Sequence, residues 1–221
     1  MKAQLIIIGN EILNGATQDI NASFIARQLN EVGIAINEIR VISDESPIIE
    51  QQIKDALDYA DLVITTGGLG PTNDDMTKDV LAQIAGKDIV YSEEALNSLA
   101  SYYGNQATAQ QRIREGNADI PEGATVLTNK RGTVPGLVME INQKYIAASP
   151  GIPDEVKYLV EFQLIPFLKS KFNLSPVIHK SVLTVGIREA VLANSISDLE
   201  EKLPSRIKMA YLPNLGTVKL R

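Results

Sequence analysis

The chain has 221 residues, 44% of them hydrophobic, a formal charge of −6, no cysteine and a single histidine, His179. That size and apolar content suit one large domain, or one plus a small appendage, while the acidic balance argues against a nucleic-acid footprint. Disulfide scaffolds, thiolate metal sites and Ser-His-Asp chemistry drop out, so any chemistry falls to carboxylates, lysine, hydroxyls and backbone.

No window approaches the ~18 apolar residues of a membrane span. The opening MKAQLIII is too short for a signal peptide and lacks a polar cleavage region, so it reads as a strand and a cytoplasmic setting is expected. Residues 4–8 (QLIII) form a continuous apolar run closed by Gly9, the pattern of a strand buried on both faces. Phe24, Ile25 and Leu29 recur at helical spacing over 20–32, with Gly33 as a C-terminal stop. Residues 34–42 are strand-like. Pro47 then opens a helix through Tyr59, with Ile48, Ile49, Ile53 and Leu57 on one side. Residues 62–64 are a second short buried run, and a helix is expected over 77–85.

This alternation predicts a parallel sheet with helices on both faces. One or two helices follow over 92–115, broken at Gly104. Strands are expected at 125–127, 136–141 and 145–148, the last two joined at Asn142-Gln143, and then a helix over 153–168. The polar stretch KSKFNLSP (169–176) reads as a domain boundary, giving domains 1–170 and 171–221. The second is expected as a small α+β unit: strand 178–185, helix 188–201, strands 207–212 and 217–220. The chain stops at VKLR inside an apparent strand, which suggests a longer natural protein.

The segment TTGGLGPTNDDMTKD (65–79) sits at the carboxyl end of an expected parallel strand, where open α/β sheets bind ligands. Gly67, Gly68 and Gly70 can bare backbone N–H groups toward a phosphate, and the following helix start adds its dipole. Asp74 and Asp75 read two ways. Both can cap that helix, or one can cap while the other meets a divalent cation beside phosphates, with Lys78 offsetting charge. The loop is neither a Walker A sequence nor GxGxxG, so hydride transfer is disfavoured. GNEILNG (9–15) and SDE (43–45) end the first two strands, which would place Glu11, Asp44 and Asp75 on one rim and suggests cation binding. Asn21, near a helix start, reads as a cap or a ribose contact. The turns RGTVPG (131–136) and SPGIPDE (149–155) read either as plain turns or, together, as a second wall of the cleft carrying Gly132, Thr133 and Gly151.

GNEILNG, DINASFIARQL, TTGGLGPTNDDMTKD, PEGATVLTNKRGTVPG and SPGIPDE, in this order, resemble the successive motifs of the competence/damage-inducible CinA family, in its molybdopterin-binding-like domain. VGIREAVLANSI and IKMAYLPNLGTVKLR resemble the small domain that follows. The resemblance implies a three-layer α/β/α fold with a mostly parallel sheet, and a pocket for a nucleotide-diphosphate small molecule. It also implies metal-dependent hydrolysis of ADP-ribose to AMP and ribose 5-phosphate, with Mg²⁺, Mn²⁺ or Co²⁺. The alternative is a non-hydrolytic nucleotide- or molybdopterin-binding domain. On matching positions, Gly67, Gly68, Gly70 and Thr72 fall to phosphate binding and Asp75 to the metal-linked acid, with Glu11 and Asp44 as helpers and Lys78 as the cation. Arg114 and Asn117 stand where the family usually has Asn and Gln, which bears on substrate identity. Neither nucleic acid nor membrane is expected as a partner, and a homodimer or homotrimer is.

Overall fold

The computed structural model describes residues 1–72, 74–112 and 118–221. It divides into two compact units, Met1–Pro176 and Val177–Arg221. The first is built on a sheet of strands β1 (Lys2–Ile8), β2 (Ala35–Ile42), β3 (Leu62–Thr66), β6 (Thr125–Leu127), β7 (Gly136–Ile141) and β8 (Lys144–Ser149). Their order across the sheet is β2-β1-β3-β8-β7-β6. The pairs β1–β2, β1–β3 and β3–β8 are parallel. The pairs β7–β8 and β6–β7 are antiparallel.

Alternation along β1 shows why the sheet is buried twice. Leu5 and Ile7 belong to one hydrophobic core, Ile6 and Ile8 to the other, as the two-residue period of a strand requires. The first core is closed by α2 (Asn21–Glu31), α7 (Pro153–Leu159) and α8 (Ile165–Lys171) through Phe24, Ile25, Leu29, Val156 and Leu168. The second is closed by α3 (Ser46–Tyr59), α4 (Thr77–Ala85) and α5 (Glu93–Tyr103) through Ile49, Ile53, Val80, Leu81 and Leu99. The result is an α/β/α sandwich with a mostly parallel sheet.

Several expectations change. A four-residue helix, α1 (Asn10–Leu13), follows β1 directly; it is too short to carry a period. A hairpin-like pair, β4 (Ile89–Tyr91) with β5 (Asp119–Pro121), brackets α5 and α6 (Gln106–Arg112). Its partners are far apart in sequence, so no local turn signal announces it. Gly104 ends α5 with a left-handed φ of 77°. The expected helical stretch beyond residue 112 lies outside the described residues, as do Arg114 and Asn117.

The helix expected over 153–168 is two α-helices joined by a π-helical turn, Val160–Leu164, just before Pro166. Proline has no N–H to donate and crowds the carbonyl one turn back, and a wider turn relieves both problems. Lys169 and Lys171 then form the basic last turn of α8, and Phe172 and Leu174 pack on the first core. The polar KSK of the expected boundary is therefore the exposed end of a helix, and the two units part after Pro176.

In the second unit β9 (Val182–Val185), β11 (Thr217–Leu220) and β10 (Tyr211–Asn214) form an antiparallel sheet in the order β10-β11-β9, with α9 (Glu189–Glu201) between β9 and β10 in sequence. Two strands are shorter or shifted relative to the sequence reading: 178–185 becomes 182–185, and 207–212 becomes 211–214. Among the described residues no helix is long and apolar enough to cross a membrane.

Candidate functional site

A pocket of about 200 Å³ opens where β1, β2, β3 and β8 end. Ile8, Ile12 and Thr66 line it, with the backbone of Gly9, Gly67, Gly68 and Gly151. Four carboxylates, Glu11, Asp44, Asp74 and Asp75, share the lining with Asn21, and among the described residues no Lys, Arg or His lines it.

The glycine pair after β3 is shaped from below. Gly67 has φ 104° and Gly68 φ 65°, conformations that residues with a Cβ adopt only under strain. A Cβ on Gly67 would stand 2.1 Å from the Ile8 carbonyl oxygen. The Gly67 N–H donates to the Ser149 carbonyl at 3.0 Å, extending the sheet by one bond. That amide therefore does not face a ligand, contrary to the expectation from sequence. Gly68 remains a lining residue.

Thr77, fully buried, clamps this pair. Its N–H donates to the Gly68 carbonyl at 2.8 Å and its hydroxyl to the Gly67 carbonyl at 3.0 Å. A threonine at a helix start looks ordinary, so nothing in the sequence marks Thr77 for this role.

Neither aspartate caps α4, whose N-cap position, Met76, makes no side-chain cap bond. Asp75 instead folds back on the loop. Its Oδ2 accepts the Thr72 N–H at 3.1 Å and also the Thr72 hydroxyl, while the Asp75 N–H donates to the Thr72 carbonyl at 2.9 Å. A Cβ on Gly70 would lie 2.4 Å from that same oxygen, so Gly70 serves to admit the carboxylate. Thr72 likewise serves Asp75; neither Gly70 nor Thr72 is a lining residue.

Lys78, the second residue of α4, does not line the pocket either. Burial lowers its ammonium below the usual lysine range, against the opposing pull of Asp119, Asp79 and Asp75.

Asn21 bridges two strand ends and does not cap its helix. Its Nδ2 donates to the Gly151 carbonyl at 2.8 Å and reaches the Thr66 hydroxyl at 3.4 Å. The cap of α2 is Asp19, whose carboxylate accepts the N–H groups of Asn21 and Ala22, each at 3.1 Å. Asp44 accepts a hydrogen bond from Asn10. Glu11, Asp44 and Asp75 do share one pocket. Among the described residues, however, no three acidic, histidine or cysteine side chains converge into a metal-holding group.

Gly132 and Thr133 are not in the pocket lining. Gly132 instead makes room for Glu155, whose carboxylate would lie 2.2 Å from a Cβ added there. Glu155 is 5% exposed and Asn129 0%. Asn129 Nδ2 donates to Glu155 Oε2 at 2.6 Å and to the Val134 carbonyl at 2.7 Å. The Asn129 N–H donates to Ser98 Oγ at 2.9 Å. Burial pushes the Glu155 carboxyl up; the Asn129 bond opposes this and Asp154 adds to it.

Comparison with known proteins places this geometry. Residues 4–170 match the family described as "Probable molybdopterin binding domain". The CinA-like protein of Flavobacterium psychrophilum is 38% identical across 100% of this chain and 53% of its own length. That of Chloroherpeton thalassium is 36% identical, with the same coverage of 100% and 53%. The chain thus spans about half the length of the curated relatives it matches. Among solved structures, the CinA protein of Thermoplasma acidophilum is similar with a TM-score of 0.65 at 33% identity, over 77% of this chain and 96% of that one. The molybdopterin biosynthesis enzyme MoaB of Thermus thermophilus gives 0.54 at 18% identity, over 77% and 92%, a likeness of fold alone.

Proposed function

From the premise that this chain belongs to the CinA-like proteins and carries their molybdopterin-binding-like domain in residues 4–170, we propose that the pocket binds the phosphate-bearing part of a nucleotide- or pterin-type ligand together with a divalent cation. The observation that carries this reading is the sign of the lining: four carboxylates and, among the described residues, no base, at the carboxyl ends of parallel strands. Such ends are where open α/β sheets take ligands. A bare phosphate is repelled by that lining, whereas a phosphate with Mg²⁺, Mn²⁺ or Co²⁺ is not.

The donor set fits such an ion only in part. Magnesium-like cations commonly take one or two protein carboxylates and complete their shell with ligand phosphates and water, which suits a site without a three-ligand cluster. Asp75, held by Thr72, is the leading candidate, with Glu11 and Asp44 on the same lining. When bound, the ion supplies charge neutralisation at phosphate oxygens and a more acidic water. Asn21 and Thr77 keep Gly151, Gly67 and Gly68 at fixed separation, so the opening is set before the ligand arrives. Lys78 acts through Asp75 and its neighbouring carboxylates.

Hydrolysis of ADP-ribose to AMP and ribose 5-phosphate is the second reading. It is favoured by the carboxylates standing in the same pocket as the proposed phosphate position. Titration calorimetry of ADP-ribose with and without Mn²⁺, run beside an assay for AMP, separates the two. Cation-dependent binding that weakens at least about tenfold in Asp75→Ala supports the site. AMP release by the wild type alone adds the hydrolytic reading. Equal affinity in both proteins, or in the presence and absence of Mn²⁺, overturns the assignment of Asp75.

A further inference from the structure

The pocket is smaller than the ligands proposed for it. Its volume of about 200 Å³ lies below the roughly 300–1,000 Å³ of pockets that enclose a whole cofactor-sized ligand. Only part of such a ligand sits inside, and the uncharged polar groups of the lining say what accompanies the phosphate there.

Asn21 is 7% exposed and Thr66 1%, and both line the pocket. A carbonyl can only accept, so the 2.8 Å bond to the Gly151 carbonyl fixes which arm of the Asn21 amide is the nitrogen. The same Nδ2 reaches the Thr66 hydroxyl oxygen at 3.4 Å. Both amide protons are then used within the protein, while Asn21 Oδ1 accepts no hydrogen bond among the described residues. Nor is Oδ1 one of the buried unpartnered atoms, which among the described residues are Gln4 Oε1, Ser43 Oγ and Thr65 Oγ1. It therefore keeps accessible surface on a residue that is otherwise buried and lines the pocket. The Thr66 hydroxyl accepts from Asn21 and so keeps its own proton to give.

An uncharged acceptor and an uncharged donor thus stand together in a lining that is otherwise acidic. The oxygens of an ionised phosphate only accept, so they find no partner in Oδ1. A cation is served by the carboxylates and gains nothing from the Thr66 O–H. An alcohol hydroxyl both donates and accepts, and it alone satisfies the two groups at once.

Resting on the phosphate-and-cation reading above, we infer that Asn21 and Thr66 receive an alcohol hydroxyl of the ligand near its phosphate, so that the part held in the pocket is a sugar phosphate. The ligand hydroxyl donates to Asn21 Oδ1 and accepts from the Thr66 O–H. Asn21 is then a specificity-determining residue as well as a tie between strand ends. The pairing favours a nucleotide-type ligand, whose sugar hydroxyls lie a few bonds from the phosphate, over one that presents phosphate alone.

The test uses two phosphate monoesters of equal charge, ribose 5-phosphate and methyl phosphate, titrated with Mn²⁺ by calorimetry into the full chain. Wild type is expected to prefer ribose 5-phosphate about tenfold, and Asn21→Ala to reduce that preference to about twofold or less. Loss of the Gly151 tie in Asn21→Ala loosens the pocket for both esters, so the ratio, and not either affinity, is the readout. Thr66→Val, of the same shape and at home in a strand, is read in the same way and carries the test where Asn21→Ala does not fold. A wild-type ratio in either folded variant, or no preference in the wild type, overturns the hydroxyl site and leaves the phosphate site standing. Binding of Mn²⁺ alone that weakens in Asn21→Ala makes Oδ1 a cation ligand and overturns the inference too. Failure of both esters to bind the wild type with Mn²⁺ overturns the underlying reading itself.

Discussion

Two glycine-rich turns, 67–70 and 131–136, look alike as sequence and owe their glycines to different physics. Gly67 needs its backbone freedom: its φ is 104° and its missing Cβ lies 2.1 Å from the Ile8 carbonyl oxygen. Gly132 has no left-handed φ. What it supplies is empty volume, filled by the Glu155 carboxylate 2.2 Å from where a Cβ would be. The first turn opens a pocket, and the second seals a buried polar network. Glycine marks a site in one case and a packing solution in the other.

The sharpest way to break this contrast is Gly67→Ala. The new methyl meets backbone on an adjoining strand end, which cannot rotate away, and the φ is strained for any L side chain. A loss of about 3 kcal/mol or more is expected in urea unfolding, with no rescue by any change at Ile8, whose carbonyl is backbone. A stability close to wild type would show that the loop shifts readily, and the claim of a pre-set opening would fail.

Gly132→Ala is expected to cost about 2 kcal/mol, but for a removable reason. The clash is with the end of a side chain, so in a Glu155→Ala background the same methyl finds space. The double-mutant cycle should show a coupling of about 1–3 kcal/mol between the positions. Additive costs would mean that Gly132 is there for its backbone, and the two turns would be alike after all.

The same contrast explains what the sequence made legible. The sheet and its helices were readable because β1 and β3 are continuous apolar runs and α2 and α3 carry a clear helical period. The strand-end location of the pocket follows from that order, which is why Glu11, Asp44 and Asp75 read as one rim and Gly67 and Gly68 as a strand-end turn, and all five line the pocket. Roles were less readable than places. Asn21 sits at a helix start, where asparagine usually caps, yet Asp19 does the capping and Asn21 ties two strand ends together. Asp74 and Asp75 read either as two caps of α4 or as one cap and one cation ligand, yet neither caps α4, and Thr77 ties its start to the glycines. Gly132 and Thr133 were drawn toward the cleft by composition alone. Sequence says which backbone positions are unusual, but not which distant side chain, here Glu155 on α7, makes them so.

Glu155 also gives the finest test of the contrast, through pH. Its carboxyl is held above the ordinary value of 4.5, chiefly by burial. For an acid with a raised folded-state value, the native protein binds the proton more tightly than the unfolded chain does. The contribution of Glu155 is therefore most favourable at pH below 4.5 and falls as the pH climbs through the raised value. Glu155→Gln keeps an acceptor for Asn129 and the same volume beside Gly132, but cannot ionise. Measured by urea unfolding across that range, the stability of Glu155→Gln relative to wild type should rise with pH and then level off, an effect smaller than either glycine substitution. A difference that stays constant with pH would show that no ionisation cost is attached to this carboxylate. A relative stability that falls with pH would mean that the charged form is preferred where it sits, and Gly132 would then be admitting an anion that the fold actively holds.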